Sequence, residues 1–274
     1  MVMISSHDIR LSIVIPSYKD PYLQSTIDSL LESSELGNAL EVVVTLDGYW
    51  PDPMLKDDPR VKIVHHGRNR GMRESINSAV RASRGEYIMR TDEHATFAKG
   101  YDRILTSQTE DNWIVTPLRY FLDVKKWEVM DLPSVGHSKL VIQNVAEGVQ
   151  KFAGKPWKSR DEETKDDPIT ETMAMQGSCW FMKRSWWDEV IKELNSERYQ
   201  PLYQDSHEMV FHTWKAGGKL MLNKNTWHAH KHRKFPRSHN NGTKENPSNN
   251  ELCWANMLED WGDYYEEIKE KWGL

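Results

Sequence analysis

The sequence has almost no cysteine: Cys179 and Cys253 are the only two in 274 residues, far apart and without a metal-ligand spacing. That excludes a disulfide-stapled scaffold and a cysteine-rich metal site, and it makes a reducing, cytoplasmic setting the expectation. Long apolar runs are missing too. The longest near the N-terminus, Leu11 to Pro16, is far too short to span a bilayer or to form the apolar region of a signal peptide. A soluble, unexported chain with no transmembrane segment is therefore expected. Neither sign of charge dominates, with 36 Lys and Arg against 41 Asp and Glu and a formal net charge of -5, so bulk charge does not demand nucleic acid. No internal repeat is visible. Nor does a glycine-rich loop with Arg or Lys follow the first strand, where Pro16-Ser17-Tyr18-Lys19 stands instead, which argues against a nucleotidyltransferase.

Tryptophan, by contrast, is plentiful: there are twelve, most of them expected in the core, although aromatic walls also grip sugar rings and bases. The chain is long enough for one large domain or two small ones. Arg10 to Pro16 is rich in β-branched residues and alternates little, the pattern of a strand buried on both faces. Leu23, Ile27, Leu30 and Leu31 then recur at helical spacing until Gly37. Glu41 to Leu46 and Val61 to Val64 read as strands, Met72 to Ser83 as a helix, and Tyr87 onward as a fourth strand. This succession with short connections predicts a doubly wound sheet whose strand ends share one rim. On that rim fall Ser17-Tyr18, Asp47-Gly48, the Arg68 to Gly71 turn and Asp92-Glu93-His94.

Beyond this point the pattern loosens. Trp113 to Pro117 and Phe121 to Met130 read as strands, the second exposed because lysines interrupt it. Leu132 to Asp167 shows no period and predicts an irregular, substrate-covering insert. Thr172 to Met182 is strand-like around Gly177, Trp186 to Leu194 and Asp205 to Lys215 are helical, and Lys219 to Asn223 is a short strand. A histidine-rich basic loop follows from Trp227, then a Ser/Asn/Gly/Pro run to Asn250 and an acidic, amphipathic segment from Leu252 to Trp272.

The chemistry centres on Tyr87 to His94. In extended backbone residues i and i+2 share a side, so Asp92 and His94 project together and Glu93 projects oppositely. One carboxylate and one imidazole form half of a divalent-metal site at a strand tip. The plainer alternative is a helix-capping Asp92 beside a surface His94.

Taken together, Ile13 to Tyr18, Leu46-Asp47-Gly48, Asn69-Arg70-Gly71 and Gly85 to Ile88 resemble the nucleotide-sugar half of the family-2 glycosyltransferases of GT-A fold. Asp92-Glu93-His94, Pro168-Ile169, Met175-Gln176-Gly177 and the segment of Asp205, Glu208, Trp214 and Gly217-Gly218 are closer to the polypeptide N-acetylgalactosaminyltransferases, whose last metal-binding histidine falls on His230. The likeness covers residues from about 10 to 235, and the order and spacing of its motifs are more specific than any one of them.

The resemblance implies an α/β GT-A fold, Rossmann-like, with a mostly parallel central sheet flanked by helices. It implies one domain over 1–274: a nucleotide-sugar-binding half over about 10–110, an acceptor-binding half over about 111–235, and a loop and helical tail over 236–274. The activity implied is metal-dependent transfer of a sugar from a nucleoside-diphosphate sugar, a UDP-sugar foremost, to a hydroxyl on a glycan, small molecule, protein or nucleic acid. Pro16, Ser17, Tyr18, Asp47, Gly71, Asp92 and Gly177 are then expected at the substrates, and Asp92, His94 and His230 around the ion. One oxygen and two nitrogens suit Mn²⁺ better than Mg²⁺. The membrane anchor, disulfides and lectin domain of those transferases are missing and Gln204-Asp205 replaces a Gly-Glu, so a peptide acceptor is not implied.

The remaining candidates each carry two readings. Asp205 and Glu208, one helical turn apart, offer a catalytic base and an acceptor-positioning group, or merely cap the helix. Arg73 aims at phosphate from a helix N-terminus, or is a solvated surface group. Asp47 meets the base or ribose, or is a turn residue before Gly48. Trp180 is a sugar platform or core. Arg233, in the acid-free run from His228 to Lys244, closes over the diphosphate or belongs to a solvated tail. Retention, with the donor phosphate taking the acceptor proton, goes with the N-acetylgalactosaminyltransferase-like features and is preferred; inversion, with Asp205 as base, goes with the family-2 features. A transferase acting on hydroxylated bases of nucleic acid and a non-catalytic sugar-nucleotide or DNA-binding module are the rival readings.

Overall fold

The computed structural model of the protein describes residues 9–199, 204–232 and 248–274. Strand β1 (Leu11–Ser17) pairs in parallel with β2 (Leu40–Asp47), β2 with β3 (Val61–His66), and β1 on its other side with β4 (Tyr87–Thr91). Every residue of β1 and β2 is buried, as expected of strands covered on both faces. Their side chains alternate between two cores. Leu11, Ile13 and Ile15 pack with Leu23 and Ile27 of α1 (Leu23–Ser33) and with Leu105 of α3 (Tyr101–Ser107). Val14 and Val43 point the other way, toward Ile76 and Val80 of α2 (Met72–Ala82).

The sheet continues past β4 through a strand of opposite direction. β5 (Ala95–Phe97) follows β4 closely, β6 (Trp113–Asp123) turns into the short β7 (Glu128–Val129), and β10 (Ile169–Glu171) precedes β11 (Cys179–Lys183) and β12 (Lys219–His230). β11 is antiparallel to both β4 and β6, and β12 lies parallel to β6 on its far side. The order is β10-β12-β6-β11-β4-β1-β2-β3, with β5 on β12 and β7 on β6. The mostly parallel half and its flanking helices agree with the α/β GT-A expectation.

Helix α6 (Asp205–Lys215) and α7 (Ser248–Lys271) cover β6, β11 and β12 on the α2 face of the sheet. In α7 the buried residues Cys253, Met257, Trp261, Tyr265 and Ile268 recur on one stripe, and Trp261 stacks on Phe211 at 5.2 Å. Among the described residues no helix is long and apolar enough to cross a membrane, and both cysteines are buried.

Several elements differ from the sequence expectation. The segment read as an irregular insert holds a hairpin of β8 (Ser138–Ala146) and β9 (Val149–Pro156), followed by α4 (Lys158–Glu163). Its Leu140 and Phe152 face the core while lysines on the other face dilute the alternation. Trp113 to Asp123 is one strand across Pro117, not two. The strand expected over Thr172 to Met182 is confined to β11, and the helix expected from Trp186 is one turn, α5 (Arg184–Trp186), passing into π-helix over Trp187–Ile191. The short strand expected to end at Asn223 runs on to His230, with an irregularity between Asn223 and Trp227, because β6 and β5 flank its second half.

Candidate active site

Asp92 follows β4 directly, His94 precedes β5, and His230 ends β12, so the β5–β12 pairing brings two histidines distant in sequence to one place. The Lys231 amide closes the arrangement by donating to the His94 carbonyl at 3.1 Å. One ligand atom from each of Asp92, His94 and His230 lies within 4.8 Å of the others, and both histidines are buried. His230 Nε2 is 2.9 Å from Asp92 Oδ2, and the two imidazole rings are 4.7 Å apart. His94 Nδ1 lies 3.1 Å from Asp20 Oδ2. A carboxylate on one ring nitrogen fixes the tautomer and leaves the other nitrogen as a ligand, the usual support of a metal-bound histidine. Burial alone would push the Asp92 carboxyl up, but the Arg90 guanidinium and the His230 hydrogen bond hold it well below the usual carboxylate range. Burial pushes His230 down to about 4, against the pull of Asp92. An ionised carboxylate and a neutral imidazole are the ligand forms, so this donor set fits a divalent ion of mixed oxygen and nitrogen preference.

Sequence reasoning missed the residues that hold this trio. Arg90, two before Asp92 and hence on its side of the strand, donates to Asp92 Oδ1 at 2.7 Å and also to the Gly177 carbonyl. The i, i+2 rule that found His94 could have found it. Asp20 carried no signal, being 74 residues from His94. Glu93 does project away from its neighbours, accepting from the Tyr18 amide at 3.3 Å.

Along the rim, Ser17 shares a hydrogen bond with Tyr49, and Tyr18 meets Tyr49 edge-on at 6.1 Å. Pro16 lies one residue inside, in β1. The Asp47 carboxylate accepts from His66 Nδ1 and the Arg70 amide on one oxygen and from Asn69 Nδ2 and the Gly71 amide on the other, all within 2.7–2.8 Å. Its four acceptor positions are filled by His66 of β3 and by the turn before α2, so it shapes that turn, the second of its two expected roles. Gly48 backs onto the same turn: a Cβ there would sit 2.3 Å from the Asn69 nitrogen. Gly71, at a φ of 92°, turns the chain into α2.

Three of the candidates with two readings are buried in the core. Arg73 is fully buried and paired with Glu208, its guanidinium 5.4 Å from the Tyr199 ring, so it neither faces solvent nor reaches for phosphate. Glu208 is buried in that pair and accepts from the Asn195 amide at 3.0 Å, so it does more than cap its helix. Trp180 is wholly buried and stacked on Trp187 at 5.7 Å, a core residue and not a sugar platform. His230 sits in a strand, not a loop, and Arg233 lies outside the described residues. Asp205 opens α6, is buried, and has an Oδ2 with no hydrogen-bond partner among the described residues. Its Oδ1 is 3.9 Å from where a Cβ on Gly177 would stand, beside the turn that Arg90 ties to Asp92.

The sequence profile of glycosyl transferase family 2 matches residues 12–191, which takes in β1 through the π-helix and includes Asp92 and His94. The chain belongs to glycosyl transferase family 2. It is similar to the uncharacterized glycosyltransferase EpsJ of Bacillus subtilis (strain 168), at 29% identity over 110 residues, which is 37% of this chain and 31% of EpsJ. Among solved structures it is similar in fold to GalNAc-T7 with UDP, GalNAc and Mn²⁺, with a TM-score of 0.74 and 16% identity, over 94% of this chain and 50% of that one. The chain thus spans about half of GalNAc-T7 and under a third of EpsJ. β1 and β4 are neighbours in the sheet, with β2 on the other side of β1, and Asp92 of the trio directly follows β4.

Proposed function

We propose that this family-2 glycosyltransferase is metal-dependent, takes a UDP-sugar, and transfers the sugar to a hydroxyl of an acceptor bound on the β6 and β12 side. The convergence of Asp92, His94 and His230 at the tip of β4 carries the reading. When bound, Mn²⁺ would neutralise the diphosphate that leaves as the glycosidic bond breaks. The protein's part is positional. Arg90 holds one Asp92 oxygen and leaves the other beside His230, while Asp20 turns His94 toward the same point. The donor half spans about 10–110 and the acceptor half about 111–235, with Ser17, Tyr18 and the Gly71 turn against the nucleotide and Asp205 with Gly177 near the acceptor.

The test is thermal stabilisation across a panel of nucleotide sugars with and without Mn²⁺. Stabilisation by one UDP-sugar only when Mn²⁺ is present is expected. Full transferase activity after EDTA treatment would overturn the metal reading. Retention is the preferred stereochemical outcome, through the likeness to N-acetylgalactosaminyltransferases. NMR of the product's anomeric centre checks it: a β-product from an α-donor would mean inversion and make Asp205 the base.

A further inference from the structure

Arg119, in β6, is half-buried and has no counter-ion among the described residues. Other arginines drawn from water have an anion, Arg73 in Glu208, Arg90 in Asp92 and Arg60 in Asp58, while Arg184 donates to the Gly85 carbonyl and the Ser83 hydroxyl. Arg119 makes no ion pair among the described residues, and its Nε is buried with no hydrogen-bond partner. Burial lowers its pKa with no carboxylate pulling the other way. A guanidinium partly withdrawn from water, with the Phe121 ring beside it at 5.3 Å but no anion, is a cost that an anionic ligand would offset.

Its surroundings supply a second observation. Arg119 is the register partner of His228 across the parallel β6–β12 pair, two residues before the Phe121↔His230 pair. Both line a small cavity of about 10 Å³ with Gln176, Thr116 and Cys179. His228 is 1% exposed, yet its Nδ1 has no partner, while its Nε2 lies 3.2 Å from Ser178 Oγ. With Ser178 donating to Nε2, Nδ1–H is left as a donor, so a guanidinium and an imidazole N–H belong to two residues that line one space about the size of a single oxygen atom. This space adjoins the metal trio, since the Ser178 carbonyl accepts from the Asp92 amide at 3.1 Å. In the sheet order, β11 separates β6 from β4, and β1 and β2 lie beyond β4. Arg119 is thus on the far side of Asp92 from the strand tips expected to hold the nucleotide.

We propose that Arg119, with His228 Nδ1 as a second donor, binds one oxygen of an anionic group, a phosphate ester or a carboxylate, carried by the acceptor. The assignment rests on the donor reading above only for which substrate bears the anion; that an anion binds at Arg119 is independent of it. A guanidinium fork is suited to such oxygens.

The experiment is a titration of the protein with methyl phosphate, following the ¹⁵N-labelled Arg119 Nε–H signal by NMR, assigned through Arg119→Gln and Arg119→Lys. It is run once on the protein loaded with UDP and Mn²⁺ and once on the protein alone with EDTA. Methyl phosphate is expected to shift the Arg119 signal in both, and Arg119→Gln to weaken its binding at least tenfold, with Arg119→Lys falling between. No shift, or equal affinity in both variants and the parent protein, would overturn the proposal. So would a tenfold loss of UDP affinity in Arg119→Gln, which would assign the residue to the donor diphosphate. If UDP and Mn²⁺ do not bind the parent protein at all, the donor reading fails while the metal-free titration still decides whether Arg119 binds an anion.

Discussion

Asp92 is the counter-ion of the buried Arg90 and, in the proposed function, also the anion for a bound cation. Removing the whole side chain would strand that guanidinium, so Asp92→Ala confounds loss of a ligand with loss of stability. Asp92→Asn keeps a partner for Arg90 and removes the charge. It is expected to abolish transfer and donor hydrolysis with a smaller loss of stability than Asp92→Ala; retained Mn²⁺ binding by calorimetry would contradict its role as a ligand. Asp20→Asn touches no substrate, yet by releasing the His94 ring it should weaken Mn²⁺ binding roughly 10–100-fold. Among the histidines, His230→Ala should weaken Mn²⁺ and UDP binding together and His232→Ala should not, since His232 is exposed. His228 is no neutral control, because it is buried against Ser178. The Arg73–Glu208 pair makes a different kind of prediction. Removing either partner leaves a buried charge and should cost about 3–5 kcal/mol, whereas Arg73→Met with Glu208→Leu together should cost far less. A double-mutant cycle in urea reads this directly. Additive losses would mean that the two residues act apart.

At the scale of elements, the legible parts are those whose partners are near in sequence or whose burial is total. β1, β2 and β4 announce themselves because a strand covered on both faces is apolar throughout, and α1, α2 and α6 because one face is. The hairpin β8–β9 does not, since its apolar face is only a few residues wide and turns on Glu147-Gly148 without a strong hairpin signature. The second half of β12 reads as a polar loop and is a strand only because β6 and β5 flank it. For the site, Asp92 and His94 follow from the two-residue period of a strand, and His230 came from family likeness. Local spacing could not disclose that Arg73 finds Glu208, 135 residues away. The helix α7 was legible from its stripe, and its contribution can be measured. Trp261 is 7% exposed, stacks on Phe211 and donates to the Tyr199 hydroxyl at 2.9 Å. Trp261→Ala should therefore cost about 3–5 kcal/mol in a urea titration. A loss below about 1 kcal/mol would mean that α7 docks weakly on α6.

At the scale of the whole molecule, the histidines kept from water set how stability responds to acid. His207, in α6, is held at about 4, first by burial and then by the positive charges of Lys151 and Arg73. Its Nδ1 is buried without a hydrogen-bond partner, so it gains nothing in the fold from being charged. His137 is lowered as well: burial outweighs the pull of Asp161, with Lys224 and Arg160 acting in the same direction as burial. A histidine whose folded pKa lies below its unfolded value binds fewer protons folded than unfolded in the interval between them. Stability then rises with pH across that interval. For His207 the interval runs from about 4 up to the ordinary value of 6.5. The contribution is complete above 6.5 and is lost progressively as the pH falls toward 4. The urea midpoint of the metal-free protein should accordingly decline from pH 7 to pH 4.5, and His207→Asn should flatten that decline while leaving the slope from His137 in place. Metal-ligand histidines contribute equally to parent and variant, so the difference between the two curves isolates His207. Parallel curves over this range would show that His207 takes up its proton in the folded protein as readily as in the unfolded one.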